Sequence, residues 1–169
     1  MSNIIVPYVF SHDYILEAVK QEASLYAERK MTEEGQSLFE QFVFDEEYLR
    51  KFRELFFDAQ AVVIDRYGAY MQYVPETDEP YIFEEADFTI DRDFTFSLMM
   101  PCDYNQFYNK QVSIKKREFL LAYIMYRWLE MKAPQDAVYF KMRADSSLMD
   151  GRAYLEKRIA RTRRSGNFF

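Results

Sequence analysis

The chain holds one cysteine, Cys102, and one histidine, His12. A single thiol excludes an intrachain disulfide, and one Cys with one His cannot supply the four nitrogen and sulfur ligands of a structural zinc site. Glycine is nearly as scarce. Gly35, Gly68, Gly151 and Gly166 each stand alone, so no glycine-rich loop is available to cradle a phosphate. Long apolar runs are also missing: FLLAYIMY, flanked by Arg117 and Arg127, is far too short to cross a bilayer. The opening segment MSNIIVPYVFSHDY has neither the cationic stretch nor the small-residue cleavage pattern of a secretory signal. These absences lead us to expect a soluble cytoplasmic protein with no membrane partner.

What is present is a globular composition. Apolar residues make up 49% of the 169 positions and charged residues 30%, a balance that supports one domain with a sizeable core rather than a disordered chain. Aromatic residues reach 18%, with 16 Phe and 14 Tyr. Such rings serve either a core or a surface that meets another protein. The net charge of −6 is uneven. From Arg152 onward, Arg152, Lys157, Arg158, Arg161, Arg163 and Arg164 face Glu156 alone, a local balance of +5 that leaves −11 on the preceding residues. An acidic body with a basic end disfavours nucleic-acid binding by the body but allows the end to meet phosphate.

Along the chain, NIIVPYVF (3–10) reads as an extended arm or edge strand, because Pro7 cannot donate to a central ladder. It can pack on its own subunit or reach to a neighbour. Ser11 caps a predicted helix from His12 to about Met31, with Ile15, Leu16, Val19, Ala23 and Tyr26 near one face. Thr32 offers a second cap before a short apolar piece containing Leu38, Phe39, Phe42 and Val43. Asp45, with Glu46 and Glu47 behind it, opens a long amphipathic helix to about Tyr73, in which Gly68 marks a weak point or early stop. VPETDEP (74–80) is a polar loop.

Alternation from Asp87 to Leu98 places Phe88, Ile90, Arg92, Phe94, Phe96 and Leu98 on one side, the pattern of a half-buried strand. The β element spans about 81–99. Asp91-Arg92-Asp93 is either the turn of a hairpin or a point through which one long strand passes. After the turn-rich 101–109, Ser113 is expected to cap a strongly apolar helix carrying Phe119, Leu120, Tyr123, Ile124, Trp128 and Leu129. Lys115, Lys116 and Arg117 would then occupy its first turn, the unfavourable end of the helix dipole for cations. Pro134 suits the first turn of a last helix bearing Ala137, Tyr139 or Phe140, Ala144 and Leu148. Asp145-Ser146-Ser147 and Gly151 are expected to weaken it. The sum is a mainly α protein: a bundle of four to five helices with one small β-hairpin or strand element, 1–160 forming a single domain and 161–169 a flexible basic tail.

Catalytic chemistry finds little support. His12 is expected at a surface or cap position without a catalytic partner, and Cys102, beside Asp103, is expected to be inert. Asp87, Asp91 and Asp93, with Glu84 and Glu85, have the chemistry to hold a hard cation but read more simply as a solvent face. No catalytic residue, cofactor or metal is assigned.

The stretch 119–164, an apolar helix ending in FLLAYIMYRWLEMK, a break at Pro134, a second helix and the basic RIARTRR, resembles small structural proteins of tailed bacteriophages and prophages, in particular head–tail connector (head-completion) proteins. Those share a helix ending in a Trp with a nearby charge, here Trp128 and Lys132. The resemblance implies a non-enzymatic subunit that oligomerises with itself and with other structural proteins, and that is assembled into a virion. Phe94, Phe96, Trp128, Phe168 and Phe169 are the interface candidates. Arg158, Arg161, Arg163 and Arg164 are candidate contacts to DNA phosphates. Rival readings are a small acidic adaptor that binds a basic protein, and nucleic-acid binding through the C-terminal helix.

Overall fold

The structure, a computed structural model, describes residues 3–30, 39–44, 46–71 and 91–159. In chain order these form strand β1 (Ile4–Phe10), helix α1 (His12–Arg29), a single turn α2 (Phe39–Phe42), α3 (Leu49–Tyr67), β2 (Phe94–Met100), α4 (Asn109–Glu130) and α5 (Pro134–Leu155). Short 3-10 turns at Glu46–Tyr48, Gly68–Tyr70 and Gln106–Tyr108 flank α3 and lead into α4. The described residues are therefore mainly α, with five helices and one small β element, as the periodicity predicts. Among the described residues no helix is long and apolar enough to cross a membrane.

The β element pairs distant parts of the chain. β1 and β2 run antiparallel, with Val6 opposite Leu98, Tyr8 opposite Phe96 and Phe10 opposite Phe94. The N-terminal arm thus folds back on its own subunit and is the partner β2 lacks locally. Pro7, opposite Ser97, fits because β1 has β2 on one side only among the described strands. Asp91, Arg92 and Asp93 are not in a strand, so no continuous strand passes through them. The part of the 81–99 segment before Asp91 lies outside the described residues, as do the 74–80 loop, Thr32 and the 161–169 tail.

Several helix boundaries shift for identifiable reasons. α1 is capped as expected: the Ser11 hydroxyl accepts from the Tyr14 amide. α3 ends at Tyr67, immediately before Gly68, so the early stop is the correct alternative. α4 starts four residues before Ser113. Asn105 caps the preceding 3-10 turn by accepting from the Phe107 amide at 3.1 Å, and that turn runs straight into the helix. Ser113 is interior, and Lys115, Lys116 and Arg117 lie beyond the first turn, so the predicted dipole penalty does not arise there. Pro134 occupies the first turn of α5. That helix runs unbroken through Asp145-Ser146-Ser147 and Gly151, because its other face is buried against α4.

α4 and α5 pack antiparallel. Lys115 reaches both Glu118 and Asp150, and Ser147 approaches Glu118. Here glycine has a packing role. A Cβ on residue 151 would stand 2.7 Å from the Tyr67 hydroxyl oxygen of α3 and 3.5 Å from Lys115 Cβ, so three helices meet at a point that only a hydrogen side chain allows. The buried side chains of all these elements form one contiguous cluster.

Candidate functional site

The inner face of the two-stranded sheet is aromatic. Tyr8 and Phe96 stack at 5.4 Å, Phe10 and Phe94 at 6.2 Å, and Phe94 lies 4.8 Å from Phe96. The period-two pattern of β2 puts Phe94, Leu98 and Met100 inside, with Phe96 partly covered. Beneath these rings α4 inserts a charged residue. Lys116 is 1% exposed, and its Nζ lies 4.2 Å from the Tyr8 ring centre, 4.3 Å from that of Phe96 and 4.4 Å from that of Tyr67. A cation above ring faces is attracted by their quadrupoles, but rings offer poor hydrogen-bond acceptance. Nζ has no hydrogen-bond partner. Burial alone drives the Lys116 ammonium down to about 7, because the charged form loses its water.

The groups around this cage are neutral. Tyr67 donates its hydroxyl to the Leu148 carbonyl of α5 at 2.8 Å, and burial raises its phenol above the ordinary range. Tyr8 is raised likewise, first by burial and then by the neighbouring Tyr104. Its own hydroxyl is buried without a hydrogen-bond partner, while Tyr104 donates to Asn109 Oδ1 at 2.8 Å.

A second polar cluster closes the end of the sheet where β1 leaves and β2 enters. His12 opens α1 directly after the Ser11 cap, and at 3% exposed it satisfies the cap alternative expected of it and not the surface one. Its ring stands edge-on to Phe52 and Phe56 of α3 at 5.1 and 5.8 Å. Nδ1 meets Asp13 at 3.0 Å and Nε2 approaches Asp91 at 3.3 Å, the latter off the line of a hydrogen bond. The His12 amide donates to Asp93 at 2.8 Å. Asp91 also accepts from Arg53 Nε at 2.6 Å, and this hydrogen bond, the largest influence on it, holds the carboxyl below its usual range. Ligand atoms of His12, Asp13 and Asp91 lie within 4.8 Å of one another. The carboxylates face opposite ring nitrogens, however, and a guanidinium already occupies Asp91, an arrangement suited to a clamp rather than a cation. Asp87, Glu84 and Glu85 lie outside the described residues.

The remaining sequence candidates are dispersed. Trp128 is 6% exposed. Its indole nitrogen donates to the Phe42 carbonyl at 3.1 Å, and its ring packs on Phe44 at 4.5 Å and Tyr48 at 4.7 Å. Lys132 does lie over it at 3.6 Å and donates to the Gln41 carbonyl at 2.8 Å. The Trp-plus-charge pair thus fastens the 39–44 segment to the end of α4 and leaves little of Trp128 to offer a neighbour. Phe94 is also buried. Arg158 is exposed and folds back on its own chain, pairing with Asp103 at 3.4 Å and donating to the Leu155 carbonyl at 2.8 Å. Arg161, Arg163, Arg164, Phe168 and Phe169 lie outside the described residues.

Sequence reasoning missed both Lys116 and His12 as interior groups. The signal was present for Lys116: it stands four residues after Val112 and three before Phe119, on the buried stripe of a helix that starts at Asn109.

Exposed apolar side chains are spread over the described surface, Tyr14, Leu25, Phe57, Ile64, Phe107 and Met131 among them, and two further surfaces each carry several together. The outer face of the sheet carries Ile5, Val9 and Met99, and the outer face of α5 carries Val138, Tyr139, Met142 and Met149. Ile5 and Met99 are direct cross-strand partners. Comparison of the chain with protein-family models, with curated proteins and with solved structures finds no match.

Proposed function

We propose that the chain is a non-enzymatic structural subunit that works by self-association, of the head–tail connector type that residues 119–164 resemble. The observation that carries this reading is the pair of separate apolar faces, on the outer sheet and on α5. Two different sticky faces on one chain are what a head-to-tail contact needs, and such a contact closes into a ring when its rotation allows. Scattered exposed apolar residues need no explanation. Here, by contrast, Val138, Met142 and Met149 recur at helical spacing on one side of α5, and Ile5 and Val9 alternate along β1.

The buried titratable groups fit this reading better than catalysis. Lys116 is walled in by rings, and three grooves of the described surface are lined by other residues. Contact with DNA phosphate, if the tail supplies it, falls to Arg161, Arg163 and Arg164 before Arg158, which already pairs with Asp103. The reading is tested by charging each face separately. Ile5→Asp with Val9→Asp, and Met142→Asp with Met149→Asp, should each lower the solution mass of the assembly. Unchanged mass in both pairs would overturn it.

A further inference from the structure

We propose that Lys116 is a proton-linked latch: the two-stranded sheet closes over α3 and α4 with loss of a proton from Nζ, and lifts from them with its return. The inference goes beyond self-association and stands independently of what covers the outer sheet face.

Its basis is the position of one amine at the junction of four elements. Nζ projects from α4 and touches Tyr8 of β1, Phe96 of β2 and Tyr67 of α3. Among the described residues the titratable groups nearest it are few. β1 contributes the neutral phenol of Tyr8 and β2 contributes no titratable group. α3 contributes Tyr67, whose hydroxyl is committed to α5, and Tyr104 sends its hydroxyl to Asn109. On α4 itself, Lys115 turns to Glu118 and Asp150, and Arg117 lies over the Tyr14 ring at 5.5 Å. Among the described residues no carboxylate pairs with Lys116. An ammonium there keeps three N–H donors without acceptors, at the cost that accompanies any unpaired buried charge. Removing the proton relieves that cost, and so does lifting the sheet so that water reaches Nζ.

The direction of the linkage follows. With the sheet lifted, Lys116 has the ordinary lysine value of 10.5; with it closed, burial holds the group near 7. Between those values opening takes up a proton, so the opening constant falls by close to tenfold per pH unit as pH rises, and it is flat below about 7. The sheet is therefore most easily lifted at and below neutrality and is held most firmly under alkaline conditions.

Amide hydrogen exchange at pH 7.5 and 9.5, corrected for the intrinsic rate, tests this above the range in which imidazoles ordinarily titrate. In the wild type, protection of β1 and β2 should rise by roughly a hundredfold between the two pH values, and by more than in the middle of α4 and α5. Lys116→Met should abolish the rise while keeping the sheet protected. Equal wild-type protection at both pH values overturns the latch. So does an equal rise across all elements, which would make Lys116 a term in global stability only. Should the variant fail to fold, an NMR titration of the Lys116 Cε resonance in the wild-type protein decides. Titration near 7 supports the proposal, and titration in the ordinary lysine range overturns it.

Discussion

The Tyr67 hydroxyl occupies the space in which a side chain on residue 151 would begin: a Cβ there would lie 2.7 Å from Oη. That hydroxyl is not free to swing aside. It donates to the Leu148 carbonyl from a fully buried ring, and the same ring forms one wall around Lys116.

Gly151→Ala should therefore cost more than its gain in helix propensity returns. Either the Tyr67 hydrogen bond breaks or α5 moves away from α3, an overpacking penalty of about 1–3 kcal/mol. Urea denaturation of the variant measures it. The double variant with Tyr67→Phe, which removes the hydroxyl in the way, should recover part of the loss.

Lys116→Met should raise the melting temperature, because a flexible apolar chain replaces a buried amine that lacks acceptors. Lys116 has its folded value lowered to about 7 from 10.5. The unfolded chain thus holds more protons between these limits, and wild-type stability rises with pH across them. The advantage of the variant should be greatest at pH 7 and below, on the order of a few kcal/mol, and should shrink toward pH 10. Melts followed by circular dichroism across that range check both the sign and the trend.

Much of the architecture was legible because its signals are local. Ser11 before His12, and Pro134 after a short break, mark helix starts through the chemistry of one or two residues. Phe94, Phe96 and Leu98 mark a strand face by alternation. The partner of that strand was not legible, since nothing near residue 94 says that residues 4–10 will lie beside it. The interior was misread where a boundary was misplaced. Starting α4 at Ser113 set Lys116 in a first turn instead of on the buried stripe below Phe119. The surface alternative for His12 fails because its cover, Phe52 and Phe56, lies 40 or more positions away in the chain and leaves no local signal. Trp128 is an interface candidate through the connector resemblance, whereas its surface is used by Phe44, Tyr48 and Lys132.

Trp128→Phe should destabilise the protein by about 1–2 kcal/mol, by leaving the buried Phe42 carbonyl without its donor. Lys132→Met should cost less, since the Lys132 head is partly exposed and its ammonium, lowered by desolvation, gains little from water loss. Denaturant titrations compare the two. If both are neutral, the 39–44 segment is held to α4 by its phenylalanines alone.

The most direct test of self-association is the mass of the wild-type protein in solution, by light scattering behind a sizing column at low and moderate salt. Burial of the apolar faces of β1 and α5 predicts a discrete oligomer larger than a dimer that persists at moderate salt, because the contacts are apolar rather than ionic. A monomer of 20.5 kDa at every concentration and salt would contradict the account.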